Sequence, residues 1–295
     1  MHYRILHRTA YRYEFPVTVG HYTARLEPRR LPVQACPWHQ LLITPEPTVC
    51  VVRTDAFGNL TAYFEIEGAH QEMEVLSRSL AKVKRSQPSD VSATPPWEMI
   101  REGIFHPANS PLTAAGDFAF ASRLIAPSAD FHAYAASSFW PGRPILEAVC
   151  ELNQRLHEDF TFDPAATDAA TPVVEAFARR RGVCQDIAQV MIACLRSLGL
   201  PARYVSGYLE TIPPFGRARL VGADASHAWV SVFCGEALGW IDADPTNNLL
   251  PSDRHVTLAW GRDFSDVIPL RGVTLGAGKQ KLTVSVDVEP VEEEE

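Results

Sequence analysis

The chain has 295 residues, 46% of them hydrophobic and 21% charged, with a net charge of −8. That length holds one large or two modest cores, and an acidic chain without a clustered Lys/Arg stripe makes a poor nucleic-acid binder. No run reaches the roughly 18 apolar residues a membrane span needs and no secretory signal opens the sequence, so the expected setting is cytoplasmic, with neither membrane nor nucleic acid as a partner.

Residues 1 to about 85 read as β-structure. Six runs, "HYRILHRTAYRYE", "GHYTARLEPR", "WHQLLITPEP", "TVCVVRTD", "LTAYFEIEG" and "EMEVLSRSLAKV", are rich in β-branched and aromatic residues, and "DAFGN" separates two of them as a hairpin turn. They predict an N-terminal β-sandwich-like domain over 1–85. Residues 86–100, "SQPSDVSATPPWEMI", are rich in Pro and Ser and read as a linker. Ala-rich, helix-forming segments follow: "PLTAAGDFAFASRLI", "ADFHAYAASSFW" and "RPILEAVCELNQRLHEDF", the last with Ile145, Val149, Leu152 and Leu156 on one stripe. "ATPVVEAFARRRG" predicts a short helix with Thr171 as its cap, Pro172 in its first turn and Gly182 after its end.

A longer helix begins at Cys184, and three strand-like runs come after it: "ARYVSGYLE", "HAWVSVFC" and "GWIDADPT". This order predicts an α+β domain over 101–270, with the cysteine-bearing helix packed on an antiparallel sheet. A further strand, "KLTVSVDVEP" within 271–290, is placed to return to the N-terminal domain, and 291–295 reads as a solvated acidic tail.

Six cysteines stand at 36, 50, 150, 184, 194 and 234, with no C-x-x-C pair among them. The spacing argues against structural zinc, and no acidic loop of calcium-binding pattern appears, so no metal or other cofactor is expected. In a reducing compartment most of these thiols should be buried core residues. Cys184 is the exception. Apolar or small residues at 184, 187, 188, 191, 194, 195 and 198 form one helical face, and Cys184 is its first member. The first turn of a helix offers unpaired N–H groups and the positive end of the dipole, both of which favour a thiolate and a developing oxyanion. Position alone leaves a small buried residue and a reactive thiol about equally supported.

A base decides between them. "DASHAWVSVF" puts His227 at the start of a strand, on one face with Trp229 and Ser231. If this strand and "GWIDADPT" pair as a hairpin across 235–239, His227 comes level with residues 244–247, at or next to Asp244, while Asp242 falls nearer Ser231. Singly, His227 reads as structural and Asp244-Pro245 as a turn initiator. Together, a thiol, an imidazole and a carboxylate meet the requirement for nucleophile, base and orienter.

The segments "RRGVCQDIAQVMIACLRSLGLPARYVSGYL", "DASHAWVSVF" and "GWIDADPTNN" resemble the transglutaminase-like superfamily, and its bacterial branch is similar nearly end to end, including "ARLEPRR", "DAFGN" and "GRDFSDVIPLRGV". The resemblance implies a papain-like fold and acyl transfer at an amide, with Cys184 as nucleophile, His227 as base and Asp244 as third member. The chain departs from many relatives in having Phe162 where they have tyrosine and Gln189 where they have histidine; Gln189 lies off the apolar stripe and is not expected to matter for catalysis. Gln185 is expected beside the site through its backbone N–H, and Phe162 as a lining residue. Trp229 is read first as packing and then as a wall, and Tyr208 equally as cleft or core. Gly207 should permit close approach of a substrate or backbone, and Asp186 should cap the helix or pair with Arg179–Arg181.

The expected partner is therefore a peptide or another amide-containing substrate. Water as acceptor would make the protein a peptidase or a deamidase, and an amine would make it a transglutaminase. The alternative is a catalytically silent binding or scaffold protein on the same fold.

Overall fold

Two long strands, rather than four short ones, form the backbone of the N-terminal sheet. The computed structural model describes residues 1–104, 115–211 and 225–292. β1 (His2–Ala24) and β4 (Leu60–Val83) run antiparallel along most of their length, with β2 (Gln34–Thr44) and β3 (Val49–Thr54) on opposite halves of β4. The first two predicted runs are one strand because a register shift between Arg12 and Val19 lets β1 bend without a turn. The bend folds the sheet over a small core that includes Tyr13, Val17, Tyr22, Phe64, Ile66 and Met73. "DAFGN" makes the β3–β4 turn, where Asp55 Oδ1 accepts from the N–H groups of Phe57 (3.0 Å) and Asn59 (2.9 Å).

Among the described residues, five helices precede the main sheet of the second unit: α1 (Trp97–Ile104), α2 (Ala129–Ala136), α3 (Ile145–Asp159), α4 (Val173–Arg179) and α5 (Cys184–Ser197). A short parallel pair, β5 (Thr161–Phe162) and β6 (Arg181–Gly182), flanks α4. The main sheet is antiparallel in the order β10-β7-β8-β9, from β7 (Ala202–Leu209), β8 (Ala225–Phe233), β9 (Trp240–Ala243) and β10 (His255–Gly261). α5 packs on this sheet and on α2, α3 and α4. After α6 (Phe264–Val267), β11 (Leu270–Leu275) and β12 (Gln280–Val291) return to pair with the two halves of β1. The acidic tail expected at 291–295 starts one residue later, since Val291 belongs to β12, and beyond Glu292 it lies outside the described residues.

Two local expectations change. Of the helix expected over 111–125, residues 111–114 lie outside the described residues and 117–125 are turns and coil. Tertiary partners take the backbone groups a helix would use: the Arg196 guanidinium donates to Phe118 O (2.8 Å), and Asp263 Oδ2 accepts from Leu124 N (2.8 Å). α4 has no side-chain cap, since the Thr171 hydroxyl bonds Asp168 instead, and it stops at Arg180, which adopts a left-handed conformation with its guanidinium 3.9 Å over Phe177. Gly182 is thus in β6 rather than at the helix end.

Side-chain amides join the two units. Gln34 exchanges two hydrogen bonds with the backbone of Thr257 (2.7 and 2.8 Å), and Asn59 does the same with Trp260 (2.9 and 2.8 Å), which satisfies the free edge of β10 as a neighbouring strand would. Among the described residues no helix is long and apolar enough to cross a membrane.

Candidate active site

The site starts with how α5 begins. Val183 is extended (φ −105°, ψ 179°) and Cys184 is the first helical residue. Asp186, in the first turn, reaches back so that its Oδ2 accepts from Val183 N–H (2.8 Å) and from the Thr167 hydroxyl (2.6 Å). The cap expected of Asp186 is thus present, and no ion pair joins it to Arg179–Arg181 among the described residues. Gly182 is required there, because a Cβ would stand 2.5 Å from Asp186 Oδ2. Gly182 also lies opposite Phe162 in the β5–β6 pair, two residues before Cys184. From Asp186 to Arg196 the helix is buried on all sides, a wider face than the predicted stripe, and it takes in Gln189 as well as the core thiol Cys194. Burial raises the Cys194 thiol to about 12, while Cys184 keeps part of its surface open.

His227 comes from β8, directly opposite Gly207 of β7. A Cβ on Gly207 would sit 2.2 Å from the Val256 carbonyl oxygen and 2.4 Å from the Trp229 indole, so the close approach anticipated there is made by the protein itself. Neither neighbour can yield, since one is backbone and the other is fully buried. Gly207→Ala is expected to destabilise the fold by at least about 2 kcal/mol through overpacking beside His227, read as the shift in urea midpoint at unchanged m-value.

β8 and β9 pair as a hairpin with Ser231 opposite Asp242 and Val230 opposite Ala243. Asp244 then leaves the strand end, held by Leu249 O accepting from its N–H at 2.9 Å. Its carboxylate meets His227, with Nε2 and Oδ2 2.7 Å apart. Cys184 lies near enough to His227 to raise the imidazole pKa. Because Nε2 is engaged by Asp244, Nδ1 is the ring nitrogen left for the sulfur. Burial disfavours the His227 cation, but the hydrogen bond to Asp244, the nearby Cys184 and the Asp244 charge outweigh it and raise the pKa to about 10. Burial likewise opposes ionisation of Asp244, yet hydrogen bonds from His227 and His255 and the His227 charge hold its carboxyl below the usual range.

Two residues at the site were not anticipated. Asn247 donates to Asp244 Oδ2 at 2.7 Å, and the backbone N–H groups of Thr246 (3.0 Å) and Asn247 (3.2 Å) donate to Oδ1. His255, from β10, lies with Nε2 3.2 Å from Asp244 Oδ2 while its Nδ1 accepts from Ser252 N–H at 3.3 Å. That pair of bonds fixes a neutral imidazole with the proton on Nε2, and burial lowers its pKa accordingly. The Trp229 ring meets His255 edge-on at 5.3 Å and donates its Nε1–H to Asp242 Oδ2 at 3.1 Å. The donor atoms of His227, Asp244 and His255 all lie within 4.8 Å of one another, a set able in principle to hold a divalent metal. Hydrogen bonding already accounts for their closeness.

The expected lining residues divide. Phe162 is 55% exposed beside the helix start, and Gln185 follows Cys184 in the first turn. Trp229 is fully buried with its ring 6.1 Å from that of His227, so it packs behind the imidazole. Tyr208 belongs to the core: it is fully buried, and its hydroxyl is 2.8 Å from Nδ1 of His7 on β1. It follows Gly207, the partner of His227, so strand alternation turns it to the other face.

Residues 3–82 match the model of the bacterial transglutaminase-like N-terminal region, and residues 132–245 match that of the transglutaminase-like superfamily. An uncharacterized protein of Mycobacterium tuberculosis is 39% identical over 98% of this chain and 93% of its own length. A protein-glutamine gamma-glutamyltransferase of Pseudomonas aeruginosa is 39% identical over 35% of this chain and 16% of its own. Among solved structures, a protein of Cytophaga hutchinsonii described as a candidate cysteine protease superposes with a TM-score of 0.76 at 19% identity, covering all of this chain and 92% of that one, a likeness of fold.

Proposed function

The chain belongs to the transglutaminase-like superfamily, and from that premise we propose that it is a thiol-dependent enzyme of acyl transfer at amide bonds, working through Cys184, His227 and Asp244. The observation that supports this reading is the setting of His227, hydrogen-bonded to Asp244 at 2.7 Å and near enough to Cys184 for both groups to raise its pKa. The Cys184 sulfur attacks the amide carbonyl carbon, and the first-turn N–H groups of Cys184 and Gln185 receive the oxyanion. His227, in its cationic form, protonates the departing amine as the C–N bond breaks, leaving a thioester. The neutral imidazole then takes a proton from the acceptor, whose attack releases the acyl group and restores the thiol. Asp244 keeps the Nε2 proton in place and stabilises the cation through both steps. Water as acceptor gives hydrolysis, or deamidation when ammonia is the group released; a primary amine gives a new amide.

Limited iodoacetamide at mildly acidic pH tests the nucleophile. Label is expected on Cys184 first, with that preference lost in His227→Ala. Burial raises Cys36 to about 11 and Cys194 to about 12, so both should stay silent, and Cys50, which is exposed, serves as the reference for accessibility alone. Cys184 reacting no faster than Cys50 would point instead to a scaffold. Amide-bearing peptides incubated with and without a primary amine then separate hydrolysis from transfer by product mass.

A further inference from the structure

A cavity of about 580 Å³ lies between the linker, the β1–β2 loop and the main sheet. It opens on the strand face that carries His227, but two residue pairs farther along, beyond the buried Trp229, at the level where Arg203 opposes Ser231 and Ser231 opposes Asp242. None of the three proposed catalytic residues lines it.

Arg203 gives this cavity its chemistry. Its guanidinium stacks 3.7 Å over Trp260 and 4.3 Å over Trp240. Arg29 lies 3.5 Å over Trp260 as well, which puts the two cations on opposite faces of that indole. Nε of Arg203 is buried without a hydrogen-bond partner, and no carboxylate pairs with the guanidinium among the described residues. The other guanidinium in the cavity, that of Arg85, is already paired with Asp242 at 2.7 Å. Burial lowers the Arg203 pKa to about 9, partly offset by Asp242, so the group is still a cation at neutral pH. One positive charge is therefore in surplus. Around it the walls are apolar: Pro32, Val33, Leu238, Leu250 and Pro251. The volume is of the order that small ligands fill.

We propose that this cavity binds a small amphipathic monocarboxylate, with its carboxylate on the open edge of the Arg203 guanidinium and its apolar body against Pro32, Val33, Leu238 and Leu250. A stacked guanidinium presents its N–H groups in a planar fork that matches a carboxylate. A dianion would leave one charge uncompensated next to Asp242, which favours a carboxylate over a phosphate. A fatty acid and a peptide with a free C-terminus both offer this chemistry.

The full chain titrated calorimetrically with octanoate and with N-acetyl-Leu-Leu, each against its own amide, tests the site. At least one acid should bind saturably and at least tenfold tighter than its amide, and the tighter acid identifies the source. Arg203→Met should abolish that preference. Arg203→Lys, which keeps the charge but not the fork, should weaken acid binding several-fold and guards against misfolding of the first variant. Cys184→Ala should bind like the unaltered protein, which keeps this result apart from the catalytic one. Equal binding of acid and amide in both pairs, absence of saturable binding, inorganic phosphate binding as tightly as the tighter acid, or a preference that survives both Arg203 substitutions would each overturn the proposal.

Discussion

Replacing Cys184 with alanine is expected to lower turnover of an amide substrate by a factor on the order of 10⁶, close to the uncatalysed background of the folded site. The size follows from the chemistry assigned to the sulfur: without it there is no thioester, and neither His227 nor the first-turn N–H groups have an attack to assist. Alanine suits a first helical turn and the Asp186 cap does not involve the Cys184 side chain, so the melting temperature should hardly move. The decisive pair of measurements is single-turnover kinetics beside a thermal melt, with mass spectrometry to catch an acyl adduct on the unaltered protein alone. Retained turnover with an intact fold would remove Cys184 from the reaction.

Asp244→Asn is expected to cost about 10⁴-fold in kcat, as loss of the orienting carboxylate does in the serine-protease triad, and to destabilise the fold by about 2 kcal/mol or more. Both effects follow from the number of donors this carboxylate takes. His227, His255 and Asn247 converge on Oδ2, while the N–H groups of Thr246 and Asn247 converge on Oδ1. An amide can accept on one side only, so whichever way the asparagine turns, buried donors face its NH₂ group. The pH dependence carries the sharper signature. Asp244 is the leading partner that keeps His227 protonated up to about 10, so the alkaline limb of the kcat/KM profile should move down towards the ordinary histidine range when that carboxylate is gone. An alkaline limb that stays in place would mean that His227 is not the group being titrated.

Most of the site is local in sequence, which is why it was legible there. The start of α5 is marked by Gly182, Cys184 and Asp186 within five residues, and the β8–β9 hairpin brings Asp244 to His227 by register alone. Asn247 was within reach of the same reasoning: in "DPTNN" the Asp-Pro turn turns the next N–H groups back onto Asp244, and the side chain three residues on comes with them. His255 was not. It arrives only because β10 pairs with β7, with His255 opposite Leu209, and no local pattern encodes a pairing across that interval. Tyr208 shows the opposite failing, since alternation already turned it away from the face of Gly207. In the N-terminal unit, apolar runs identified the strands but not their continuity, because the register shifts between Arg12 and Val19 bend β1 without ending its pairing with β4.

The return of β11 and β12 to β1 has a consequence for synthesis. As the polypeptide leaves the ribosome, β1 to β4 emerge first, yet one flank of β1 stays unpaired until residues 270–291 have followed. For that interval the nascent sheet presents an open hydrogen-bonding edge while the helices and the thiol are still being made, the condition under which chains associate wrongly. Excising the segment that bears Cys184, His227 and Asp244 would not relieve this: β10 would lose the amides of Gln34 and Asn59 that cover its own free side, and the two halves would become sticky together.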